Sequence, residues 1–202
     1  MIVVNFFGAP SVGKSTQASG LFTELKRRWV RCEGVYEAAK DKLLSEDAMN
    51  DQLRILAEQH HRIFRVRDKV DVVIVDSPLL QSLVYTPADY PPEYISMVKA
   101  FWNRYQNVNI YLNRNHPYDP ELRVQTEPES IEKDIQLRTL LTELEVPVYQ
   151  LTTSDNLSKQ LANWLITKYD LVSPETEAKR AKLKYDLFDQ QMRNSLNSSG
   201  GL

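Results

Sequence analysis

Only one cysteine, Cys32, occurs in the 202 residues, so the chain cannot close a disulfide on itself. That single thiol fits a reducing compartment, and Met1 leads into an apolar stretch with neither a basic leader nor a small-residue cleavage site. A cytoplasmic location is therefore the expectation. No apolar run reaches the roughly 18 residues a membrane-spanning helix needs, so no membrane partner is expected. Neither sign of charge predominates: 25 Lys and Arg stand against 27 Asp and Glu, a formal net charge of −2. This balance excludes a global field that would draw nucleic acid or lipid, while leaving room for a local basic groove. The paired His60-His61 has no companion at zinc-ligand spacing and is expected to face solvent. Glycine is scarce, with six residues in all.

Two of those six glycines, with four residues between them, fall in Gly8-Ala9-Pro10-Ser11-Val12-Gly13-Lys14-Ser15-Thr16, which reads G-x-x-x-x-G-K-[ST]. The stretch follows Ile2-Val3-Val4-Asn5-Phe6-Phe7, an apolar run suited to a buried parallel strand, and precedes a helical pattern over 15–29. Gly8 and Gly13 permit backbone angles that a side chain penalises, so loop N–H groups can turn inward around an anion. The start of the helix adds partial positive charge at the same point. In such a loop Lys14 reaches the β- and γ-phosphates of ATP, the Ser15 hydroxyl ligates Mg2+, and Thr16 lies near the α-phosphate.

Further along, strands are expected at 30–36, 70–76, 108–112 and 146–151. Helices are expected at 49–67, 92–105, 127–144 and 155–169. Ala18, Leu21, Phe22, Leu25 and Trp29 form the inner face of the first helix; Leu53, Leu56, Ile63 and Phe64 form that of the second. Thr126 and Glu129 have capping-box spacing. Alternating strands and helices make an α/β fold: a five-stranded parallel sheet with helices on both faces, in three layers. The domain is expected over 1–172, with a lid at about 113–128, then a charged helix at 173–196 and a flexible tail at 197–202. That last helix could pack on the domain, extend into solvent, or pair two copies as a homodimer.

Chemistry concentrates where strands end. Val70-Asp71-Val72-Val73-Ile74-Val75-Asp76 is an apolar run closed by an acid. A carboxylate there is costly without a partner, and Mg2+ shared with Ser15 would supply one. Glu37, after the second strand, lies on the acceptor side; it is read as a general base for an acceptor hydroxyl, or else as a solvated helix-start residue. Lys40, one turn on, either serves that side or pairs with Glu37. Arg114 and Arg123 occupy the long polar segment. They either meet phosphates from a lid or pair with Asp119, Glu121 or Glu127. Arg138 could point back at the same place. Tyr85, Tyr90 and Tyr94 are read first as packing on the core, and second as stacking on a base.

On four blocks the chain resembles P-loop kinases of the nucleoside and nucleotide kinase superfamily. These are the opening strand with Gly8 to Thr16, then Glu37-Ala38-Ala39-Lys40, Val73-Ile74-Val75-Asp76-Ser77-Pro78, and Tyr118-Asp119-Pro120-Glu121-Leu122-Arg123-Val124-Gln125. The likeness is greatest to nicotinamide riboside kinase domains and to bacteriophage AAA-type ATPase proteins, with phage hydroxymethyl-deoxyuridine DNA kinases as relatives. It implies ATP as donor, Mg2+, an acid after the second strand on the acceptor side, and lid arginines on phosphates. The acceptor would be a nucleoside, a nucleotide or a modified base in DNA. Lys40 departs from the arginine common at that place. The rival is a nucleotide-dependent switch, but Asn113-Arg114-Asn115-His116 is not the guanine-reading Asn-Lys-x-Asp.

Overall fold

The computed structural model describes residues 1–36, 50–118 and 126–172, together with 178, 182–183 and 185–190. The chain divides into two compact units, Met1–Ala162 and Asn163–Leu202.

The first unit is built on five parallel strands: β1 (Ile2–Phe7), β2 (Cys32–Val35), β3 (Val72–Val75), β4 (Gln106–Asn113) and β5 (Tyr149–Thr152). They lie in the order β2-β3-β1-β4-β5. β1 is central, pairing Ile2 with Val72 on one side and with Gln106 on the other. All six of its residues are buried, as a strand covered on both faces requires. Four-residue β5 forms an edge and is largely exposed. Helices α1 (Lys14–Arg27), α2 (Gln52–Phe64), α3 (Glu93–Trp102), α4 (Glu127–Glu143) and α5 (Leu157–Tyr169) connect or follow the strands.

Alternation along the strands separates the two layers. Val3, Phe7, Val35, Val73, Val75 and Tyr111 face a core completed by Leu56 and Ile63 of α2, Val98 of α3, and Leu137 and Leu141 of α4. On the other face Ala18, Leu21 and Leu25 of α1 cover the sheet. Burying each such Leu or Ile is worth about 1.5–3 kcal/mol. Gly20 lets the start of α5 approach α1, since a Cβ there would stand 2.4 Å from the Ser158 hydroxyl. Cys32 is fully buried, and burial pushes its thiol up to about 11, so it stays protonated and inert at neutral pH.

Four local expectations are corrected. Trp29 is not on the inner face of α1; the helix ends at Arg27, and Trp29 turns left-handed (φ 62°) with its ring half exposed. The inner face of α2 uses Gln52, Leu56, Gln59 and Ile63, leaving Leu53 outside. The proline- and tyrosine-rich stretch after β3 is not all loop. A 3₁₀ helix spans Leu79–Tyr85, because Leu79 and Leu80 are drawn into the core. His60 also turns inward, its ring 4.4 Å from Phe101 and 5.8 Å from Phe64, whereas His61 is exposed. Tyr90 and Tyr94 do pack down: Tyr94 donates to Gln52 O at 2.9 Å, and the two rings meet edge to face at 5.0 Å.

His60 borders a groove of about 370 Å³ between α2 and α3, lined also by Leu53, Leu56, Ala57, Phe64 and Phe101. Burial, with Arg104 and His61 assisting, holds its pKa below the usual 6.5. The unfolded chain therefore takes up this proton first as pH falls. Stability is full above the unfolded value and declines as pH drops through 6.5 toward the depressed folded value. The melting temperature should fall between about pH 7.5 and 5.5, and His60→Phe should flatten part of that fall. Identical slopes in the two proteins would show that another group governs it.

Candidate functional site

β1 stands between neighbours whose connections run in opposite directions: from β1 the chain passes to the β2 side, from β4 to β5. The carboxyl ends of β1 and β4 thus flank a topological switch point, the crevice where open parallel sheets hold ligands. The loop after β1 and Arg114 after β4 both project there.

The loop geometry follows from its glycines. Gly8 has φ 142°, and a Cβ on it would sit 2.9 Å from Val12 Cγ1 and 3.0 Å from Leu112 O of β4. Gly13, at φ 88°, caps α1. Between them Ser11 holds a left-handed φ of 61° despite its side chain. Ala9, Ser11 and Val12 are buried, and Thr16 is exposed. α1 has no acid in its first turn, so nothing on the helix itself offsets its positive end.

Lys14 folds over the loop, donating from Nζ to Gly8 O (2.7 Å) and Ala9 O (2.9 Å). Ser15 Oγ donates to Asp76 Oδ2 at 2.6 Å. Asp76 is 2% exposed, immediately after β3, and its N–H donates to Val35 O. One hydroxyl and one carboxylate, both hard oxygen donors, suit Mg2+, which is usually held by one or two carboxylates plus substrate phosphates. Among the described residues no group of three or more His, Cys, Asp or Glu is placed to hold a metal. That donor set disfavours zinc-type chemistry and matches a phosphate-bound Mg2+.

Arg114 is held against the loop. Nη2 donates to Pro10 O (3.0 Å) and Ser130 Oγ (2.8 Å), Nη1 lies 3.6 Å from Glu127, and the guanidinium stands 5.2 Å from the Tyr118 ring centre. Ser130, fully buried on α4, donates from Oγ to the same Pro10 carbonyl at 3.0 Å. Ser130 gives no signal in the sequence beyond its place four residues after the capping Thr126. The capping box itself is present: Glu129 accepts from Thr126 N–H at 2.6 Å, and that bond lowers the carboxyl's pKa.

Arg138 braces α4 instead of pointing at the loop. It donates to Asp134 (2.7 Å) and Asn113 (2.9 Å) and stacks 4.1 Å from the Tyr111 ring, whose hydroxyl donates to Asp134 at 2.6 Å. Burial works against Arg138's charge, but Asp134 and Tyr111 outweigh it and raise the pKa above the usual value. Burial, then Asp134, pushes the Tyr111 phenol up. Sequence patterns also missed two buried glutamines near Asp76. Gln59 donates to Ser77 O at 2.9 Å; Gln81 is 5% exposed with no protein partner for its Oε1. Glu37, Lys40 and Arg123 lie outside the described residues.

A family model described as an AAA domain matches residues 3–157. The chain belongs to this AAA domain family. No curated protein matches the sequence. The fold of this AAA domain is shared with YorR from Bacillus subtilis, solved in complex with phosphorylated GDP: TM-score 0.52, 20% identity, 84% of this chain and 96% of that one. It is also similar to NadR, solved with NAD and AMP-PNP, at TM-score 0.56 and 18% identity, over 85% of this chain and 50% of that one. The AAA domain thus has an α/β P-loop NTPase-like fold. No described helix is long and apolar enough to cross a membrane.

Proposed function

We propose that the protein is a phosphotransferase, moving the γ-phosphoryl group of ATP to a hydroxyl or phosphate oxygen of a nucleoside-type acceptor. The observation that carries this is Ser15 Oγ against Asp76 Oδ2 at 2.6 Å, beside Lys14, at the mouth of the switch-point crevice. YorR and NadR, of the same fold, hold nucleotides, which supports a nucleotide at this place. Mg2+ bound by Ser15 and Asp76 would neutralise charge on the β- and γ-phosphates. Gly8 to Gly13 cradle the phosphates with backbone N–H groups, and Lys14 swings from its two carbonyls onto them. The acceptor oxygen attacks the γ-phosphorus, the bond to the β-bridging oxygen breaks, and ADP leaves. Glu37 takes the acceptor's proton, and Arg123 stabilises the charge spread over the moving group.

The acceptor is a small molecule in preference to DNA, because the stretch 79–91 beside Asp76 contains no lysine or arginine to meet a phosphate backbone. ADP release measured against nucleosides, nucleotides and plain or hydroxymethylated DNA tests this. A kinase gives release that rises steeply with one acceptor; a flat response across the panel would favour a switch. Glu37→Gln should lower kcat by about 10²–10⁴ while sparing ATP affinity. Equal loss of both would remove Glu37 from the acceptor side.

A further inference from the structure

We propose that Ser130, together with Arg114, is a positioning residue of the nucleotide site, acting through the carbonyl of Pro10. The inference rests on the phosphate-binding role proposed above for the loop, and adds to it a contribution from α4. Two donors converge on one oxygen: Ser130 Oγ at 3.0 Å and Arg114 Nη2 at 3.0 Å, with a 2.8 Å bond between the donors themselves. All three elements are fixed. Ser130 is fully buried, Arg114 is held by Glu127 as well, and β4 lies beside β1 along its whole length.

The consequence is geometric. The Pro10–Ser11 peptide is trans, since the described chain has no cis bond. In a trans peptide the C=O and the next N–H point to opposite sides. Anchoring Pro10 O on α4 therefore turns the Ser11 N–H away from α4, to the side where the loop gathers its amides around an anion. Proline has no N–H of its own to offer, so its peptide contributes only through this neighbour. The left-handed φ of 61° at Ser11 is the local cost of that orientation, and a non-glycine residue keeps it only where its surroundings over-determine it. The Ser130–Arg114 clamp supplies such a constraint. The anion nest is thereby set before ligand arrives, and no binding energy is used to turn the peptide.

Calorimetric affinities for ADP and AMP in the full chain test this, with Lys14→Ala as control. A preorganised amide on the distal phosphates favours ADP over AMP. Ser130→Ala should reduce that preference roughly ten-fold, leaving AMP affinity near wild type. Arg114 still holds Pro10 in this variant, so melting should change little. Ser130→Cys, close in volume but a weak donor, should behave alike and serves if the alanine variant does not fold. An unchanged ADP-to-AMP ratio in Ser130→Ala, with Lys14→Ala losing ADP, would overturn the positioning role and leave the site standing. Parallel loss of both ligands would also overturn it, showing Ser130 to be mere packing. A wild-type protein with no preference for ADP would remove the loop's phosphate role and the inference with it.

Discussion

Lys14→Ala is expected to lower phosphoryl transfer by on the order of 10²–10³ without unfolding the protein, because it removes one preorganised cationic donor at the reacting phosphate. Lys14 is partly exposed, and its ammonium donates to the carbonyls of Gly8 and Ala9 in its own loop. Those bonds are short, yet folding only exchanges them for bonds to water, so their net worth to folding is about 0.5–1.5 kcal/mol each. In the proposed reaction the ammonium would stand between oxygens that gain charge, away from bulk water, where its worth is far larger. Acceptor-dependent ADP release and the melting temperature, measured on the same preparation, separate the two effects. Turnover equal to wild type would exclude this loop as the reaction site.

Gly8→Ala should produce the largest loss of stability, about 2–5 kcal/mol, from two additive sources. At φ 142° the backbone lies where side chains rarely go, and the new methyl would meet Val12 Cγ1 at 2.9 Å and the Leu112 carbonyl at 3.0 Å. Neither neighbour yields easily: Val12 is buried and Leu112 O belongs to β4. Gly13→Ala is the matched comparison. Its φ of 88° is also unfavourable, but its methyl would find Thr153 Cγ2 at an ordinary 3.7 Å. Thermal melts should place Gly8→Ala roughly ten degrees below wild type and clearly below Gly13→Ala. Coincident melts for the two would mean that the β4 approach has room to relax.

The parts legible from sequence were those written in simple periodicities or fixed spacings. β1 and β3 declare themselves as β-branched runs, the P-loop by two glycines in a glycine-poor chain, and α4 by Thr126 and Glu129. Asp76 follows from its place at the end of an apolar run. What escaped are buried polar groups, because hydrophobic patterning assigns them outward. Gln52 and Gln59 go inside α2, where Gln52 O accepts from Tyr94 and Gln59 donates to Ser77, and Leu53 is displaced to the surface in exchange. Ser130 was invisible for the same reason. Its hydroxyl matters through a carbonyl 120 residues away in sequence, which no local window contains. The position of Arg138 on α4 left open a turn toward the site, but the neighbours that hold it, Asp134 and Asn113, come from packing of α4 on β4.

Three asparagines in the sheet have a consequence for how the chain assembles. Asn5 of β1, 1% exposed, donates to Asn107 at 2.9 Å and to Asn109 at 3.0 Å on β4. Asn109 in turn donates to Pro147 O and Asn107 to Trp102 O. Valines and isoleucines on either side would tolerate a sliding mismatch of two residues, since one apolar surface resembles the next. Buried amides do not: slid by two one way, Asn5 would face Tyr111 in place of Asn109, and slid the other way, Asn109 would face Phe7, a loss of about 1–3 kcal/mol for each stranded group. The amide ladder thus acts as a key that rejects misaligned pairings, and it fixes how far the turn after the first strand stands from the arginine after the fourth.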